Sequence, residues 1–324
     1  MPEIKWRLSK KPHLLTIMST PMNRRQLLKF AGAASFTAIL PSVEVSAGKV
    51  PKTDFRFCLN TSTISGQNPG MLKSIEIASK AGYSGMELWI RDVQKYLIEG
   101  NSLQSLKNHL DNHGITVENA IGFAPWLTGQ KGMEQMKQEM EMMKMLGCKR
   151  IAATVAGVTD DIPFDLFEAG KKFRELLEIG RQTGVAPMIE FWGASKTLWH
   201  IGQAMMIASV ANHPNARILA DVYHLFRGDS GYDCLKMLKG NIIELFHMND
   251  YTAHIPREKQ TDADRVYPGD GIAPMKQILT DLKNMGGTKV LSLELFNKTY
   301  WSQPADQVAK TGLEKMKRLV AEIE

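Results

Sequence analysis

The sequence predicts an α/β protein folded as a single (β/α)8 barrel, and three observations carry this prediction. From residue 54 onward, short runs rich in apolar and β-branched residues alternate with longer amphipathic runs. Glycine recurs where the amphipathic runs end, as expected for helix C-termini. Eight such units fit within about 270 residues, close to the usual length of a closed parallel barrel.

Each predicted strand is a run of five to nine mostly apolar residues. The strands are predicted at 55–62, 85–89, 116–123, 150–155, 186–192, 216–223, 242–250 and 289–296. Helical periodicity places helices between and after them, at about 70–81, 101–113, 130–147, 164–183, 198–211, 231–239, 273–285 and 305–323. The glycines at the helix-to-strand joints are Gly82, Gly114, Gly147, Gly184 and Gly286. Near-repeats such as "KAGYSGMEL" and "TGVAPMIE" show the same order of helix end, glycine and strand.

A doubly wound open sheet is the alternative fold. Such a sheet usually has fewer strands, and a phosphate-binding glycine motif follows its first strand. Here the first strand is followed by "TSTISGQNPG", which matches neither GxGxxG nor a Walker loop. The closed barrel is therefore preferred, with residues 48–324 forming one catalytic domain.

Residues 1–47 are interpreted as a leader that carries a twin-arginine-type export signal. Arg24 and Arg25 precede the apolar stretch "FAGAASFTAIL", and "VSAG" supplies small residues for cleavage before Gly48. We therefore expect the twin-arginine export machinery as a partner and a periplasmic location. An amphipathic N-terminal helix and an uncleaved anchor are the alternatives.

The charge distribution argues against nucleic acid as a partner. Residues 1–47 hold seven of the 40 basic residues and two of the 34 acidic ones, so the rest of the chain has a net charge of only +1. No segment after the leader is a candidate for a stable membrane span. Cys58, Cys148 and Cys234 are widely spaced and lie in or beside apolar runs, so they are interpreted as core residues. A homo-oligomer is compatible with the sequence.

Four chemically active residues come at or near the ends of the last four predicted strands. They are Glu190, Asp221, His247 and Glu294, in consecutive strands. The active sites of such barrels lie at the carboxyl ends of the strands. Buried carboxylates that repel one another require a cation, and three carboxylates with one imidazole form a usual ligand set for a divalent metal. The oxygen-rich set favours Mn²⁺ or Mg²⁺, with Co²⁺ and Zn²⁺ as alternatives.

These residues, with His224 three positions after Asp221, resemble the xylose isomerase-like TIM-barrel superfamily. Within it the sequence is similar to the sugar phosphate isomerase/epimerase group, which includes hydroxypyruvate isomerases and ketose 3-epimerases. The resemblance covers roughly residues 54–323. It implies that one divalent metal is bound by the four residues, and that Glu190 and Glu294 also act as the acid/base pair.

The expected substrate-binding residues are His224, Arg257, Glu87, Trp126 and Trp192. Arg257 matches the approximate place of a substrate-binding arginine in the family, and Arg265 competes with it for that role. Glu87 either binds a substrate hydroxyl or forms a salt bridge. The tryptophans either stack on a sugar or cap the barrel.

The predicted function is that of a metal-dependent isomerase, either an aldose–ketose isomerase or a carbohydrate epimerase, acting on a sugar through an enediolate. One alternative is a lyase or dehydratase that acts on a keto-sugar through the same proton abstraction. The other is a non-catalytic sugar-binding protein. A metal-dependent endonuclease would need further histidine ligands at strand ends where the sequence has none.

Overall fold

The computed structural model describes residues 53–158 and 164–324, and there eight parallel strands close into a barrel. Each strand pairs with the next in the chain, and the last pairs back with the first, with Phe57 opposite Leu291. The predicted (β/α)8 barrel is therefore confirmed. The leader assigned to residues 1–47 lies outside the described residues, and its export role stays a prediction.

Most strands are shorter than the sequence predicts. They are β1 (Asp54–Asn60), β2 (Gly85–Trp89), β3 (Thr116–Ile121), β4 (Arg150–Ala153), β5 (Ala186–Glu190), β6 (Ile218–Asp221), β7 (Leu245–Met248) and β8 (Thr288–Leu293). In the sequence, the apolar runs extend past the last residue that is hydrogen-bonded to a neighbouring strand. The additional apolar residues line the cavity or begin a helix. The predicted strand 216–223 is an example, since a helix starts at Val222.

Ten helices accompany the strands in the described residues. They are α1 (Met71–Ala81), α2 (Ile90–Ile98), α3 (Leu103–Asn112), α4 (Gln130–Met145), α5 (Leu166–Thr183), α6 (Ile201–Ala211), α7 (Val222–Arg227), α8 (Met275–Met285), α9 (Lys298–Trp301) and α10 (Ala305–Ala321). Gly82 and Gly184 end α1 and α5 in the left-handed conformation, which a residue with a Cβ atom adopts only at a cost.

The predicted helix at 231–239 is wrong, and a short 3-10 turn (Asp233–Met237) takes its place. Gly231, the first residue of this stretch, and Gly240, which directly follows it, have positive φ angles of 64° and 61°. This backbone conformation is incompatible with a continuous α-helix. Three short helices, α2, α7 and α9, were not predicted. Helices α2 and α7 begin at the residue that follows a strand, and only residues 294–297 separate α9 from β8.

The barrel interior is apolar below the site and polar at the site. A buried cluster takes one residue from each strand: Cys58, Trp89, Ile121, Ala152, Met188, Leu219, Leu245 and Val290. A second, larger apolar cluster lies between the barrel and the helices. Because side chains alternate along a strand, residues two positions after the interior cluster again point inward. In β5, β6 and β7 those residues are Glu190, Asp221 and His247.

An ion-pair network lies at the amino ends of the strands, opposite the site. Arg150 pairs with Glu118 at 3.1 Å and with Glu244 at 2.9 Å, and Arg217 pairs with Glu244 at 2.9 Å. The side chains of these residues are at most 20% exposed. Lys289, which is fully buried, donates a hydrogen bond to the Gly240 carbonyl at 2.8 Å. The arginine and glutamate charges at this end therefore pair with one another, whereas Lys289 has only a carbonyl group as its hydrogen-bond partner.

Cys58, Cys148 and Cys234 are free thiols. Cys58 and Cys148 are buried, as expected for core residues, and Cys234 is partly exposed. In the ranges 53–158 and 164–324, none of the helices has the length and apolar character needed to cross a bilayer.

Candidate active site

The four predicted metal-ligand residues converge at the carboxyl end of the barrel. Glu190 ends β5, Asp221 ends β6, His247 lies in β7 and Glu294 directly follows β8. The strand register places Asp221 beside His247, and all four side chains are buried. Parallel strands of a barrel end at one face, so residues 104 positions apart in the sequence meet there.

His247 is oriented by a carboxylate below it. Its Nε2 atom lies 3.1 Å from Oε1 of Glu87, and Glu87 also accepts hydrogen bonds from Asn119 at 2.7 Å and from Ser292. With its proton on Nε2, the ring presents the Nδ1 lone pair to Asp221 and Glu294. Nδ1 is 3.5 Å from Asp221 Oδ2 and 3.2 Å from Glu294 Oε2, and it has no hydrogen-bond partner.

This arrangement fits a divalent cation. Ligand atoms of Asp221, His247 and Glu294 lie within 4.8 Å of one another. A buried lone pair that faces two carboxylate oxygens is repulsive unless positive charge is shared among them. Glu190 adds a buried Oε2 atom that also has no hydrogen-bond partner. Three carboxylates and one imidazole match the ligands that Mn²⁺, Co²⁺ and Zn²⁺ accept.

The pKa values of His247 and Glu190 are both raised, which indicates that positive charge is favourable at the site. Burial lowers the pKa of His247, but the carboxylates of Glu294 and Glu87 outweigh that effect and hold it well above its ordinary value. Burial raises the pKa of Glu190 to about 8, and the charges of Glu294 and Asp221 add to this effect. A cation near these groups would replace the extra proton on either of them.

Asp221 has two separate tasks for its two oxygen atoms. Oδ1 caps α7 by accepting the backbone N–H groups of Tyr223 at 2.6 Å and His224 at 3.0 Å. This fixes the carboxylate, so that Oδ2 faces His247. Asn249 donates a further hydrogen bond to each oxygen at 3.2 Å. Within "ADVYH", Asp221 therefore ends β6, caps α7 and directs one oxygen atom to the predicted metal site.

Arg265, which the sequence analysis named only as a competitor of Arg257, is a central residue of the site. It comes from the long loop after β7 and is almost fully buried. Its Nη1 atom donates to Asp221 Oδ2 and to Glu294 Oε2, both at 2.8 Å, and its Nη2 atom donates to Asp262. The carboxylate oxygens that face His247 thus also accept from Arg265. Glu294 Oε2 keeps a second lone pair for a cation, whereas Asp221 Oδ2 also accepts from Asn249, which a cation would have to displace.

The structure places His224 in the cavity and Arg257 outside it. His224 accepts a hydrogen bond from the Gly193 N–H at 3.3 Å, and its Nε2 atom lies 3.3 Å from Arg265 Nη2. Burial lowers the pKa of His224, so the ring is neutral at neutral pH. Arg257 instead pairs with Asp229 at the surface. Of the two arginines that competed for the substrate, Arg265 is therefore the one at the site.

Glu87, Trp126 and Trp192 occupy three different places. Glu87 is buried beneath the site, where its hydrogen bonds go to His247, Asn60, Asn119 and Ser292 and no salt bridge to a surface lysine or arginine is formed within the described residues. Trp126 is buried behind the barrel wall and donates to the Thr154 carbonyl at 2.7 Å. Only Trp192 lines the cavity.

The cavity above these residues has a volume of about 670 Å³. One side is polar and includes Glu190, His224, Arg265 and Glu294, together with loop residues 258–262. The other side is apolar and is formed by residues at the ends of β2, β3, β4, β5 and β8. Its members are Trp89, Ile121, Phe123, Val155, Val158, Trp192 and Phe296. Apolar walls combined with a few polar groups are typical of a site for a small organic molecule.

Comparisons with known proteins agree with this description. A family model described as "Xylose isomerase-like TIM barrel" matches residues 75–319. An inosose isomerase from Bacillus velezensis is 28% identical over 278 residues, which cover 82% of this chain and 97% of the relative. A 3-dehydroshikimate dehydratase from Pseudomonas putida is 22% identical over 272 residues, covering 79% of this chain and 40% of the relative.

Solved structures show the same fold. The IOLI protein, whose crystal structure contains a bound zinc atom, has a TM-score of 0.76 and 25% identity, covering 83% of this chain and 99% of its own. D-Psicose 3-epimerase from Clostridium cellulolyticum has a TM-score of 0.64 and 13% identity, covering 82% and 99%. The latter similarity concerns the fold alone.

Proposed function

Since this chain belongs to the xylose isomerase-like TIM barrel family, we propose that it is a metal-dependent isomerase or epimerase of sugars or related cyclic ketones. The observation that carries the proposal is the unpaired Nδ1 atom of His247, which faces the carboxylates of Asp221 and Glu294. Similarity to inosose isomerases supports the reaction class. A substrate without phosphate is proposed, because the leader suggests export.

The residues that would hold the cation are Glu190, Asp221, His247 and Glu294. We propose Mn²⁺ as the ion, and the zinc in the related IOLI structure makes Zn²⁺ the first alternative to test. When bound, the ion would polarise a substrate carbonyl and thereby acidify the neighbouring C–H group. Glu87 serves this site indirectly, since it fixes the tautomer and orientation of His247.

Glu190 and Glu294 are proposed as the acid/base pair. They stand on β5 and after β8, so they reach a bound ketone from different sides of the barrel axis. If one takes the proton and the other returns it to the opposite face of the same carbon, the product is an epimer. Return of the proton to the adjacent carbon gives the isomer. The raised pKa of Glu190 suits this work, because a group that titrates near the working pH can both accept and donate a proton.

Arg265 and His224 are proposed to hold the substrate oxygen atoms. The Arg265 guanidinium is positioned by Asp221, Glu294 and Asp262, so it is ordered before a substrate binds. Neutral His224 beside it offers a second polar group on the same side of the cavity. Negative charge that develops on a substrate oxygen would be stabilised by the arginine.

A dehydratase is the second candidate. It is favoured by the similarity to a 3-dehydroshikimate dehydratase. The same proton abstraction beside a carbonyl would be followed by loss of a β-hydroxyl group as water, with the electron pair of the broken C–H bond forming the new double bond. The two candidates share their first step and differ in the fate of the resulting anion.

Deuterium exchange tests the proposal. The purified full-length chain, loaded with Mn²⁺ or Zn²⁺, is incubated in D₂O with ketoses, inososes and 3-keto-glycosides, and the products are followed by NMR. We expect uptake beside the carbonyl together with an isomeric or epimeric product. Glu190→Gln and Glu294→Gln are expected to slow uptake about 10²–10⁴-fold, whereas the exposed Glu134→Gln serves as the matched control.

Three other outcomes would change the conclusion. An unsaturated product would assign the chain to the dehydratase class. Metal binding without uptake from any substrate would favour a sugar-binding protein. Equal rates for wild type and for Glu190→Gln, measured at equal metal content, would contradict the acid/base assignment.

A further inference from the structure

Four aromatic rings form a continuous surface on the apolar side of the cavity. Phe296, Trp89, Phe123 and Trp192 follow one another around the barrel, and we call this set the aromatic wall. Ring centroids are separated by 6.1 Å for Phe296 and Trp89, 5.5 Å for Trp89 and Phe123, and 6.0 Å for Phe123 and Trp192. These are normal distances for tilted aromatic contacts, so the rings support one another without a ligand.

The aromatic wall leaves apolar surface open to the cavity. The Phe123 side chain is 44% exposed, although it lies between two tryptophans, and Trp192 is partly exposed. The Trp89 indole N–H is used inside the barrel, where it donates to Asn60 Oδ1 at 2.9 Å. Exposed aromatic surface within a concave site is typical of a ligand-binding position.

The side chains that continue this surface are also apolar. Ile121 and Val155 line the cavity beside the rings. In the described residues, the charged groups next to the aromatic wall are two guanidinium groups, that of Arg265 at 5.2 Å from the Phe296 ring and that of Arg91 at 4.3 Å from the Trp89 ring. A lone sugar ring carries hydroxyl groups around its edge, and those that faced the aromatic wall would lose their hydrogen bonds to water without compensation.

The size of the cavity leads to the same conclusion. Its volume of about 670 Å³ lies in the range that holds drug-sized ligands, which are larger than one six-membered sugar ring. A ring placed over the carboxylates would use the polar side and leave the aromatic wall uncovered. A second, apolar ring attached to the sugar would cover it.

We propose that the substrate is a keto-glycoside, whose sugar ring carries a carbonyl group and an apolar or aromatic substituent, and that the aromatic wall binds that substituent. This inference rests on the proposed function, since it assigns the sugar part to the polar side of the same cavity. The wall acts on binding and specificity, and the proton transfer remains with the carboxylates.

Binding of matched glycoside pairs tests the inference without any turnover. Isothermal titration calorimetry is performed on the Mn²⁺-loaded full chain with 4-nitrophenyl and methyl glycosides of glucose, galactose and mannose, and with 4-nitrophenol alone. For at least one sugar we expect the aryl glycoside to bind about tenfold or more tightly than the methyl glycoside, the factor that burial of one aromatic ring provides. Free 4-nitrophenol is expected to bind more weakly than that aryl glycoside.

Variants assign the preference to the aromatic wall. Phe123→Ala is expected to reduce the ratio of aryl to methyl affinity about three- to tenfold, the value of one aromatic contact. Trp192→Ala provides an independent second test of the same surface. Phe167→Ala is the matched control, because Phe167 lies on α5 with 57% of its side chain exposed and does not line the cavity.

The inference is overturned if no aryl glycoside binds better than its methyl partner. Equal loss of both affinities in Phe123→Ala would show that the wall stacks on the sugar itself, which also overturns it. Free 4-nitrophenol that binds as tightly as the glycosides would reveal an unspecific apolar surface. Deuterium uptake from small ketoses without an aryl preference would refute this inference alone, whereas an aryl preference without uptake would refute only the proposed isomerase.

Discussion

Replacement of Arg265 by methionine should destabilise the metal-free protein far more than the metal-loaded protein. Arg265 is the buried cation that neutralises Asp221 and Glu294, with both contacts at 2.8 Å. Removing one partner of a buried ion pair typically costs about 3–5 kcal/mol, because the other charge stays buried. For a domain of this size, about 2–4 °C per kcal/mol corresponds to a fall of roughly 10 °C in the apparent melting temperature.

The assay compares thermal unfolding in EDTA and in Mn²⁺. A divalent ion supplies the positive charge that the variant lacks, so Mn²⁺ should raise the melting temperature of Arg265→Met more than that of the wild type. Arg227→Met is the matched control. Arg227 anchors the same loop through the carbonyl groups of Glu258 and Gln260, at 3.0 Å and 3.3 Å, and no carboxylate loses a partner when it is replaced.

The pH dependence gives a second readout with a definite sign. Burial raises the pKa of Asp221, but Arg265 and His224 outweigh it and hold the pKa well below its ordinary value. A lowered pKa in the folded state contributes stability that is present above the unfolded value, about 3.9. Without Arg265, burial raises the pKa of Asp221 above its unfolded value. The folded variant then binds a proton at pH 5 that it must give up at pH 8, so it should lose more stability at pH 8 than at pH 5. An Arg265→Met protein that unfolds in EDTA at the same temperature as Arg227→Met would refute this reasoning.

Three further substitutions test other parts of the structure. Asp250→Ala removes the acceptor for the backbone N–H groups of Tyr251, Gly269, Gly271 and Ala273; amide exchange in the loop after β7, followed by mass spectrometry, should become at least about tenfold faster. Glu87→Gln should weaken Mn²⁺ binding, measured by calorimetry, about 10–100-fold, because Glu87 orients His247. Lys289→Met should stabilise the chain against urea by about 1–2 kcal/mol at pH 7, since burial lowers the pKa of Lys289 to about 8 and a charged lysine is unfavourable there. The stability advantage of Lys289→Met should shrink between pH 8 and 10, because Lys289 in the folded wild-type chain is already deprotonated in this range.

Each of these substitutions has a matched control. Asp270→Ala removes an exposed carboxylate that pairs with Lys315 and should leave exchange in the loop unchanged. Glu118→Gln alters a glutamate at the opposite end of the barrel and should not affect Mn²⁺ binding. Lys283→Met alters a partly exposed lysine and should not stabilise the chain against urea at pH 7. Any control that matched its test variant would contradict the corresponding assignment.

The barrel was predictable because its pattern is local and repeated. A strand of five or so apolar residues, a glycine and an amphipathic helix can each be recognised without knowing the rest of the chain, and eight repeats leave few alternative folds. The errors occurred where tertiary contacts decide local structure. Strand β6 stops at Asp221 because that side chain caps α7, and the segment predicted as a helix at 231–239 lies between two glycines with positive φ, Gly231 and Gly240.

The site was predictable only where residues sit at strand ends. Glu190, Asp221, His247 and Glu294 could be brought together by counting strands, because parallel strands share one edge. The position of Arg265 depends on the path of a long loop, which has no periodicity, so the sequence could not decide between it and Arg257. Asp250, two residues after β7 in "HMNDY", accepts backbone N–H groups at both ends of this loop. An aspartate shortly after a strand is typical of such a capping position, and it was the feature of the sequence that indicated an ordered loop.

The Asp250 carboxylate has a consequence for how this barrel can be altered. It closes the loop after β7 at its base by binding both the first residue, Tyr251, and the last turn, Gly269 to Ala273. The two ends of the loop are therefore held together by Asp250 whatever residues lie between them, and we call these ends the frame. Exchange of residues 252–260 for a segment of similar span would remodel the mouth of the cavity, while the frame keeps β7 and its histidine in place and Asp262 continues to position Arg265. New ligand preferences could thus be grafted onto this chain without redesign of its barrel.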